Sequence, residues 1–358
     1  MIIRTCAWTT EGLKLADRIA ESVTKHTFDY KSVDEDVDLW IKTGFGLNAP
    51  ILFIGAMGIA VRKIAPFVYS KFSDSPVIVI DEKGQFVIPV LSGHVGGANE
   101  MAKDIAAAIK AQLVITTATD VQDVFAVDVF AKKNGLRIVN KDGIKKVSAK
   151  LLNRKKIRLV IDSDIEYNRE DVPDSIDIID YEEAVESGLE IDVYIMHNSS
   201  AMSGLLADAD KTIARKIKSS LFLEYKPYVL GIGCKRDTEF EKLDVFVKEQ
   251  LERGDIDIKF VAGMGTIDIK KSEKGILYFE TKNRIPLTFF SAQELQEVEG
   301  EFSNSDFVKE ITGVSNVCER AAMKLSGEDG ELLLHKIAQD GMTLAVSIRK
   351  ARISVWKN

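Results

Sequence analysis

Cysteine and histidine are scarce in this chain. Of 358 residues three are cysteine and four are histidine. Cys6, Cys234 and Cys318 are far apart, odd in number and form no Cys-x-x-Cys pair. That argues against a disulfide framework or a cysteine-based zinc site, and points to a reducing cytoplasm. His26, His94, His197 and His335 are scattered too, without the spacing of a metal-ligand set. Positive charge is not in excess: the formal net charge is −7. A nucleic-acid-binding domain is therefore not expected, although local fields can still seat a small anion. The N-terminal stretch "MIIRTCAWTTEGLKLADRI" carries Glu11 and Asp17 early and has no long apolar core. It reads as neither a signal peptide nor a membrane span. There is no Gly-x-x-x-x-Gly-Lys-Ser/Thr element, so nucleoside triphosphate chemistry is not expected. Low-complexity segments, long linkers and short-period repeats are lacking as well.

What is present is an ordinary globular composition, 46% hydrophobic and 29% charged. The length exceeds what one core usually serves and predicts two or three domains. "IIRTCAWT" reads as a strand and "EGLKLADRIAESV" as the helix after it. Residues 51–55 form a strand before a Gly55/Gly58 turn and a short helix that Pro66 ends. "PVIVID" and "QFVIPVL" are strands separated by "EKG". A glycine-rich loop and a helix follow, then "QLVITTATD" as a strand running into a threonine-rich loop. "DVFAVDVFAKKNG" is a helix stopped by Gly135. This alternation predicts an α/β N-terminal domain over 1–137 built on a largely parallel sheet. Residues 138–224 change to basic and then acidic runs with short strands "RLVID" and "DVYIM", a small central α/β domain with solvated charged faces. At 225 the strand, glycine-turn and helix pattern restarts, defining a separate C-terminal α/β domain over 225–358. There Thr238-x-x-Glu241 fits a capping box, and Asp340-Gly341 marks a two-residue hairpin.

Four loops carry the candidate chemistry. "SGHVGGAN" joins a strand to a helix. Glycines there let the backbone approach a ligand, and the helix start offers unpaired N–H groups to a carboxylate or phosphate. The simpler reading is a tight turn and nothing more. His94, set between Gly93 and the Gly96-Gly97 pair, suits proton transfer near neutrality. Asn99 either caps the helix or donates to a ligand. In "TTATD", Thr117 and Thr119 offer hydroxyls and Asp120 a carboxylate at the expected carboxyl end of a strand, where open α/β sheets bind ligands. Asp120 could equally cap the next helix. "GAMGIA" lacks the full dinucleotide fingerprint, and Pro66 cuts its helix. "GIGCKRDT" sets Gly233, Lys235 and Arg236 beside a helix start, where cations and backbone N–H groups could meet an anion. Cys234 there could carry a lowered pKa, but a small buried residue is the simpler reading.

Together "GAMGIAVRKIAP", "VIPVLSGHVGGANEMA" and "TTATD" resemble the N-terminal and central parts of the cobalt-precorrin-5A hydrolases of anaerobic cobalamin biosynthesis. "LGIGCKRDT", "TIDIKKSEKGILYF", "VSNVCERAA" and "MTLAVSIRKA" look like that family's third domain, with Thr266 standing where serine is expected. The resemblance implies a cobalt-bearing, ring-contracted tetrapyrrole substrate whose ring A acetate is closed as a lactone onto a methylated meso carbon. Water would open the lactone, and the meso carbon would leave with its methyl as acetaldehyde. The cobalt would come with the substrate, so the protein needs no metal or other cofactor. On this reading His94 is the base or proton shuttle, and Asp120 orients it or replaces it. Gly96 and Gly97 N–H groups, with Gly93, Asn99, Thr117, Thr119, Gly55, Gly58 and Gly233, line the binding site. Lys235 and Arg236 grip peripheral carboxylates. The expected partners are the tetrapyrrole and neighbouring corrin-pathway methyltransferases, with no nucleic acid or membrane. Two other classes stand beside it. A non-catalytic corrinoid carrier would bind without releasing acetaldehyde, and a nucleotide-dependent enzyme using the Gly55 turn would be stabilised by nucleotide.

Overall fold

A computed structural model describes residues 1–70, 73–94, 96–117, 122, 124–180, 182–184, 189–197 and 220–356. The first sheet has the order β2-β1-β3-β4-β5-β6. Its strands are β1 (Ile2–Ala7), β2 (Thr27–Tyr30), β3 (Ile51–Ile54), β4 (Val77–Ile80), β5 (Phe86–Leu91) and β6 (Gln112–Leu113). Alternate residues serve opposite faces, as the period of a strand requires. Leu52, Ile54, Ile78 and Ile80 enter one core, under the helices Thr10–Ser22 and Ala98–Ile109. Ile51, Phe53, Val77 and Val79 enter the other, with the helices Val37–Gly46 and Met57–Ile64. The first helix buries Gly12, Leu15, Ala16 and Ile19, one face at 3.6-residue spacing, and Thr9 caps it by accepting from the Gly12 N–H at 3.1 Å.

Four of the five strand pairings in this sheet are parallel, and the exception decides where the site lies. β5 runs antiparallel to β4, with Leu91 opposite Val77 and Val87 opposite Ile80. The connection between them is too short for the crossover that parallel strands need. Asp81 locks it, accepting from the N–H groups of Lys83, Gln85 and Phe86. The end of β5 therefore lies at the starting edge of β1, β3 and β4, and β6 follows β5 in parallel. Of the strand expected over 112–120, the described part to residue 117 is ladder-paired over Gln112–Leu113, and 118–120 lie outside the described residues.

The second sheet has the order β10-β8-β11-β12-β7. It comprises β7 (Leu136–Ile138), β8 (Ile157–Ile161), β10 (Ile176–Ile178), β11 (Val193–Met196) and β12 (Leu221–Tyr225). Its core takes Val127 and Phe130 from the helix Val127–Lys133 and Trp356 from the far end of the chain. The Phe130 and Trp356 rings lie 5.2 Å apart. Asn134 fastens the returning segment, donating to Val355 O and accepting from Ser354 and Val355 N–H. Just before it, β18 (Arg352–Ile353) pairs in parallel with β9 (Glu166–Tyr167). This core thus draws on residues from both sides of 138–224.

The third sheet, β15-β14-β13-β17-β16, is built from β13 (Tyr228–Cys234), β14 (Val261–Ile267), β15 (Leu287–Phe290), β16 (Glu331–Gln339) and β17 (Met342–Ile348). β13, β14 and β15 are parallel, and β17 and β16 complete the sheet antiparallel. Asp340 and Gly341, with φ of 52° and 81°, form the expected hairpin turn. The helix Cys318–Ser326 packs so closely on β13 that a Cβ on Gly231 would lie 1.7 Å from Cys318 O. The capping box expected at Thr238 does not form. The helix Phe240–Arg253 has Glu239 at its cap position, and the Thr238 hydroxyl donates to Lys235 O at 2.8 Å, closing the loop before it. A capping box stands instead at Ser291 and Glu294.

The third unit docks on the starting edge of the first sheet through the helix Lys274–Asn283 and the residue after it. Lys274 and Tyr278 bind Asp29 at 2.7 and 2.8 Å. Asn48 donates to Lys282 O at 2.9 Å, and Arg284 donates to Ser73 O at 2.8 Å and Asp74 O at 3.2 Å. Among the described residues no helix is long and apolar enough to cross a membrane.

Candidate active site at the edge between the first and third sheets

The glycine-rich loop after β5 is held by its own packing. A Cβ on Gly93 would lie 2.6 Å from Asn99 Oδ1, and one on Gly96 2.7 Å from Ser92 O. Gly97 has φ 89° at the cap position of the helix Ala98–Ile109, with no side-chain cap. Asn99 therefore does not cap this helix. It lies buried beneath Gly93, and its N–H donates to Gly93 O at 3.0 Å. The Gly97 N–H, expected to face an anion, donates to His94 O at 3.0 Å.

His94 finds its carboxylate partner in Asp128, on the helix Val127–Lys133 of the second core. His94 Nδ1 lies 3.5 Å from Asp128 Oδ2, and the two side chains are 15% and 8% exposed. Burial alone would raise the Asp128 pKa, but the hydrogen bond and charge of His94 and the N–H of Val129 together hold it below the ordinary value. Asp120 and Thr119 lie outside the described residues. Thr117 lies beyond β6, at the same edge as His94. Lys132 reaches the loop from the same helix as Asp128, and a Cβ on Gly97 would lie 3.3 Å from its Nζ. The residue is exposed, yet desolvation by the surrounding protein lowers its pKa, against an opposing pull from Glu100. A cation beside a helix start suits a bound anion. Gly55 and Gly58 are elsewhere: the Gly55 N–H donates to Ile80 O, at the opposite edge of the sheet.

A cavity of about 1050 Å³ opens farther along the starting edge. Arg4, Thr43 and Leu47 of the first unit form one wall. The opposite wall is the carboxyl ends of β13 and β14 and the starts of the helices Phe240–Arg253, Lys274–Asn283 and Cys318–Ser326. Three helix starts directed at one space make it electropositive and rich in N–H donors. Among the described residues, six cationic and four acidic side chains line it. Gly233, Lys235 and Arg236 are in its wall, as the sequence suggested for an anion site, and both cations are exposed. Cys234 and Cys318 also line it, but both are buried, and desolvation raises their pKa values, that of Cys318 to about 11. Neither is an activated nucleophile.

Matches to family models run along the chain. "Cobalamin synthesis G N-terminal" covers residues 40–120, "Cobalamin biosynthesis central region" 125–211, and "Cobalamin synthesis G C-terminus" 228–347. A cobalt-precorrin-5A hydrolase of Salmonella typhimurium is 32% identical over 351 residues, 95% of each chain. The chain belongs to the cobalt-precorrin-5A hydrolase family. Another member, from Priestia megaterium, is 33% identical over 83% of this chain and 78% of its own. A solved chain described as a cobalamin biosynthesis protein G homolog, from Sulfolobus solfataricus, is 20% identical over 97% of this chain and 96% of its own, with a TM-score of 0.41.

The His94 loop and the Lys235–Arg236 loop thus fall into two places on one edge, while the Gly55 motif lies at the opposite edge. The His94 loop follows β5, and the cavity with Lys235 and Arg236 opens beside β1. Among the described residues, none of 92–99 is in the cavity wall. β1 and β5 are three strand spacings apart in the sheet order, about 14 Å, and the Arg284–Asp74 contact lies between them. Sequence reasoning missed Asp128, Lys132 and Arg4. "FAVDVF" and "IIRTCA" did hold a signal, a charged residue inside an apolar run, which a fold tolerates only when that charge is partnered or used.

Proposed function

We propose that this chain is a cobalt-precorrin-5A hydrolase, which opens the ring A lactone of its substrate and releases acetaldehyde. The observation that carries this is end-to-end similarity to a hydrolase of that name, at 32% identity over 95% of both chains. The cavity supports it: helix starts and exposed cations suit the peripheral carboxylates of a tetrapyrrole. In this reading the macrocycle occupies the cavity, and its lactone edge extends toward His94. His94 takes a proton from water as the water oxygen bonds to the lactone carbonyl carbon. Lys132 stabilises the negative charge on the carbonyl oxygen. The carbon–oxygen bond of the lactone then breaks, leaving a carboxylate and a hydroxyl on the meso carbon. Loss of the hydroxyl proton drives cleavage of the one carbon–carbon bond that still joins that carbon to the ring. It departs with its hydrogen and methyl as acetaldehyde, and the electron pair left on the ring carbon takes up a proton. Asp128 keeps His94 oriented throughout. The corrinoid product passes to a methyltransferase of the same pathway. Anaerobic incubation with cobalt-precorrin-5A tests the proposal by trapping acetaldehyde while the corrinoid mass is followed. Binding without acetaldehyde would favour a carrier instead.

Two expectations follow for the site. The double variant Lys235→Ala/Arg236→Ala should weaken substrate binding about tenfold or more, the scale of losing hydrogen bonds to charged groups. Added salt should weaken the wild type more than this variant, because the variant has fewer charge contacts to screen. Equal affinity and equal salt dependence would remove this loop from the substrate seat. The protein should also stay active after chelator treatment that leaves the substrate's cobalt in place. A stoichiometric protein-bound ion whose removal abolishes turnover would show that the reaction needs a resident metal.

A further inference from the structure

We infer that Arg4 and Thr266 are specificity-determining residues of the cavity, Arg4 by receiving one peripheral carboxylate of the substrate and Thr266 by adding a hydrogen bond from the opposite wall. The inference rests on the proposed hydrolase reading and extends it to residues on two different units.

Arg4 lies on β1 in the apolar run "IIRTCA" and is 5% exposed. A buried guanidinium is costly unless its donors are satisfied. Here they are not: Nε is buried with no hydrogen-bond partner. Its ion pair with Glu35 is loose, 4.0 Å from Nη2, and Glu35 is exposed. The guanidinium carbon lies 4.5 Å from the centre of the Trp40 ring, which fixes the plane of the fork without using its N–H groups. The Tyr278 hydroxyl, also in the cavity wall, donates to Asp29 at 2.8 Å. A planar fork whose Nε has no partner, and whose other contacts are the loose Glu35 pair and the Tyr278 hydroxyl, matches a carboxylate, which takes two parallel N–H bonds.

Thr266 repeats the pattern on the other wall. It is fully buried on β14, yet its hydroxyl has no hydrogen-bond partner. Each unmade bond destabilises the empty protein, and each is relieved when an acceptor enters the cavity.

The test compares wild type, Arg4→Lys, Arg4→Met and Thr266→Val. Each is measured for cobalt-precorrin-5A turnover, for thermal stability, and for binding of a corrin polycarboxylate and its methyl ester. Arg4→Met should raise KM about tenfold or more with a smaller fall in kcat, and should lose the wild type's preference for the polycarboxylate over the ester. Arg4→Lys should fall between, since an ammonium replaces the fork with a point charge. Thr266→Val keeps the shape and removes an unpaired hydroxyl, so its melting temperature should hold or rise while its KM increases. It remains informative even if an Arg4 variant fails to fold. Folded Arg4 variants and Thr266→Val with wild-type KM and wild-type preference for the polycarboxylate overturn the inference. Wild-type protein that binds the polycarboxylate but releases no acetaldehyde overturns the hydrolase reading and leaves this one standing.

Discussion

His94→Ala should lower acetaldehyde release from cobalt-precorrin-5A at least about a hundredfold, the lower range for loss of a general acid–base group. Corrinoid binding should change little, because His94 is not in the wall of the cavity proposed to seat the macrocycle. The fold should persist: the side chain is 15% exposed and ends a loop that backbone bonds already close. Asp128→Asn provides the partner experiment. It keeps the shape but removes the charge that favours the imidazolium, so kcat should fall and the acidic limb of the rate profile should move to lower pH. A positioning residue with a merely structural role would lower stability without moving that limb. A folded His94→Ala protein with normal turnover would confine the chemistry to the cavity beside β1.

Glu319→Ala should cost stability on the scale of breaking a buried, hydrogen-bonded charge, about 3–5 kcal/mol. The Glu319 side chain is fully buried at the first turn of the helix Cys318–Ser326. It accepts from Ser303 N–H at 2.8 Å, the Ser303 hydroxyl at 2.9 Å, Asn316 Nδ2 at 2.6 Å and Lys336 N–H at 2.7 Å. One carboxylate thus ties two separate chain segments, at Ser303 and Lys336, and the turn at Asn316 to the helix whose start lines the cavity. Burial alone would raise its pKa, but the Lys336 and Ser303 hydrogen bonds and the nearby His335 outweigh that and hold it below the usual glutamate value. The sign of the pH dependence follows. This contribution is fully present above the unfolded glutamate value, roughly pH 4.3, and is lost as pH falls through the lower folded value. Denaturant melts should therefore show the wild type and Glu319→Ala converging in acid and separating toward neutrality. A constant gap across that range would refute the assignment of the stabilisation to the ionised carboxylate.

The sequence by itself determined a great deal. Short apolar runs placed β1, β3, β4 and β5 but not β2, and β3 and β4 are apolar throughout because the sheet is covered on both faces there. Asp340-Gly341 specified its hairpin, because few residues accept positive φ at both turn positions. The family was readable from motifs at 55–66, 87–102, 116–120 and 230–238. The third unit's cations, Lys235 and Arg236, were legible as cavity residues, since they follow a strand in a parallel pair and precede a helix.

Only the tertiary structure decided which residues meet. The reversal of β5 moved the His94 loop to the starting edge of the sheet, away from Gly55 and Gly58. The three residues "EKG" already implied that reversal, being too few for a crossover, but periodicity is blind to strand direction. Asp128 reached His94 because its helix joins the second core, a packing choice made by Val127, Phe130 and a tryptophan more than two hundred residues away. Arg4 became a cavity residue only when the helix Lys274–Asn283 docked on the edge that bears it. Local spacing fixes which elements form, because it depends on neighbours a few bonds apart. The site depends on contacts between segments far apart in sequence, and those are set by how separate cores pack together.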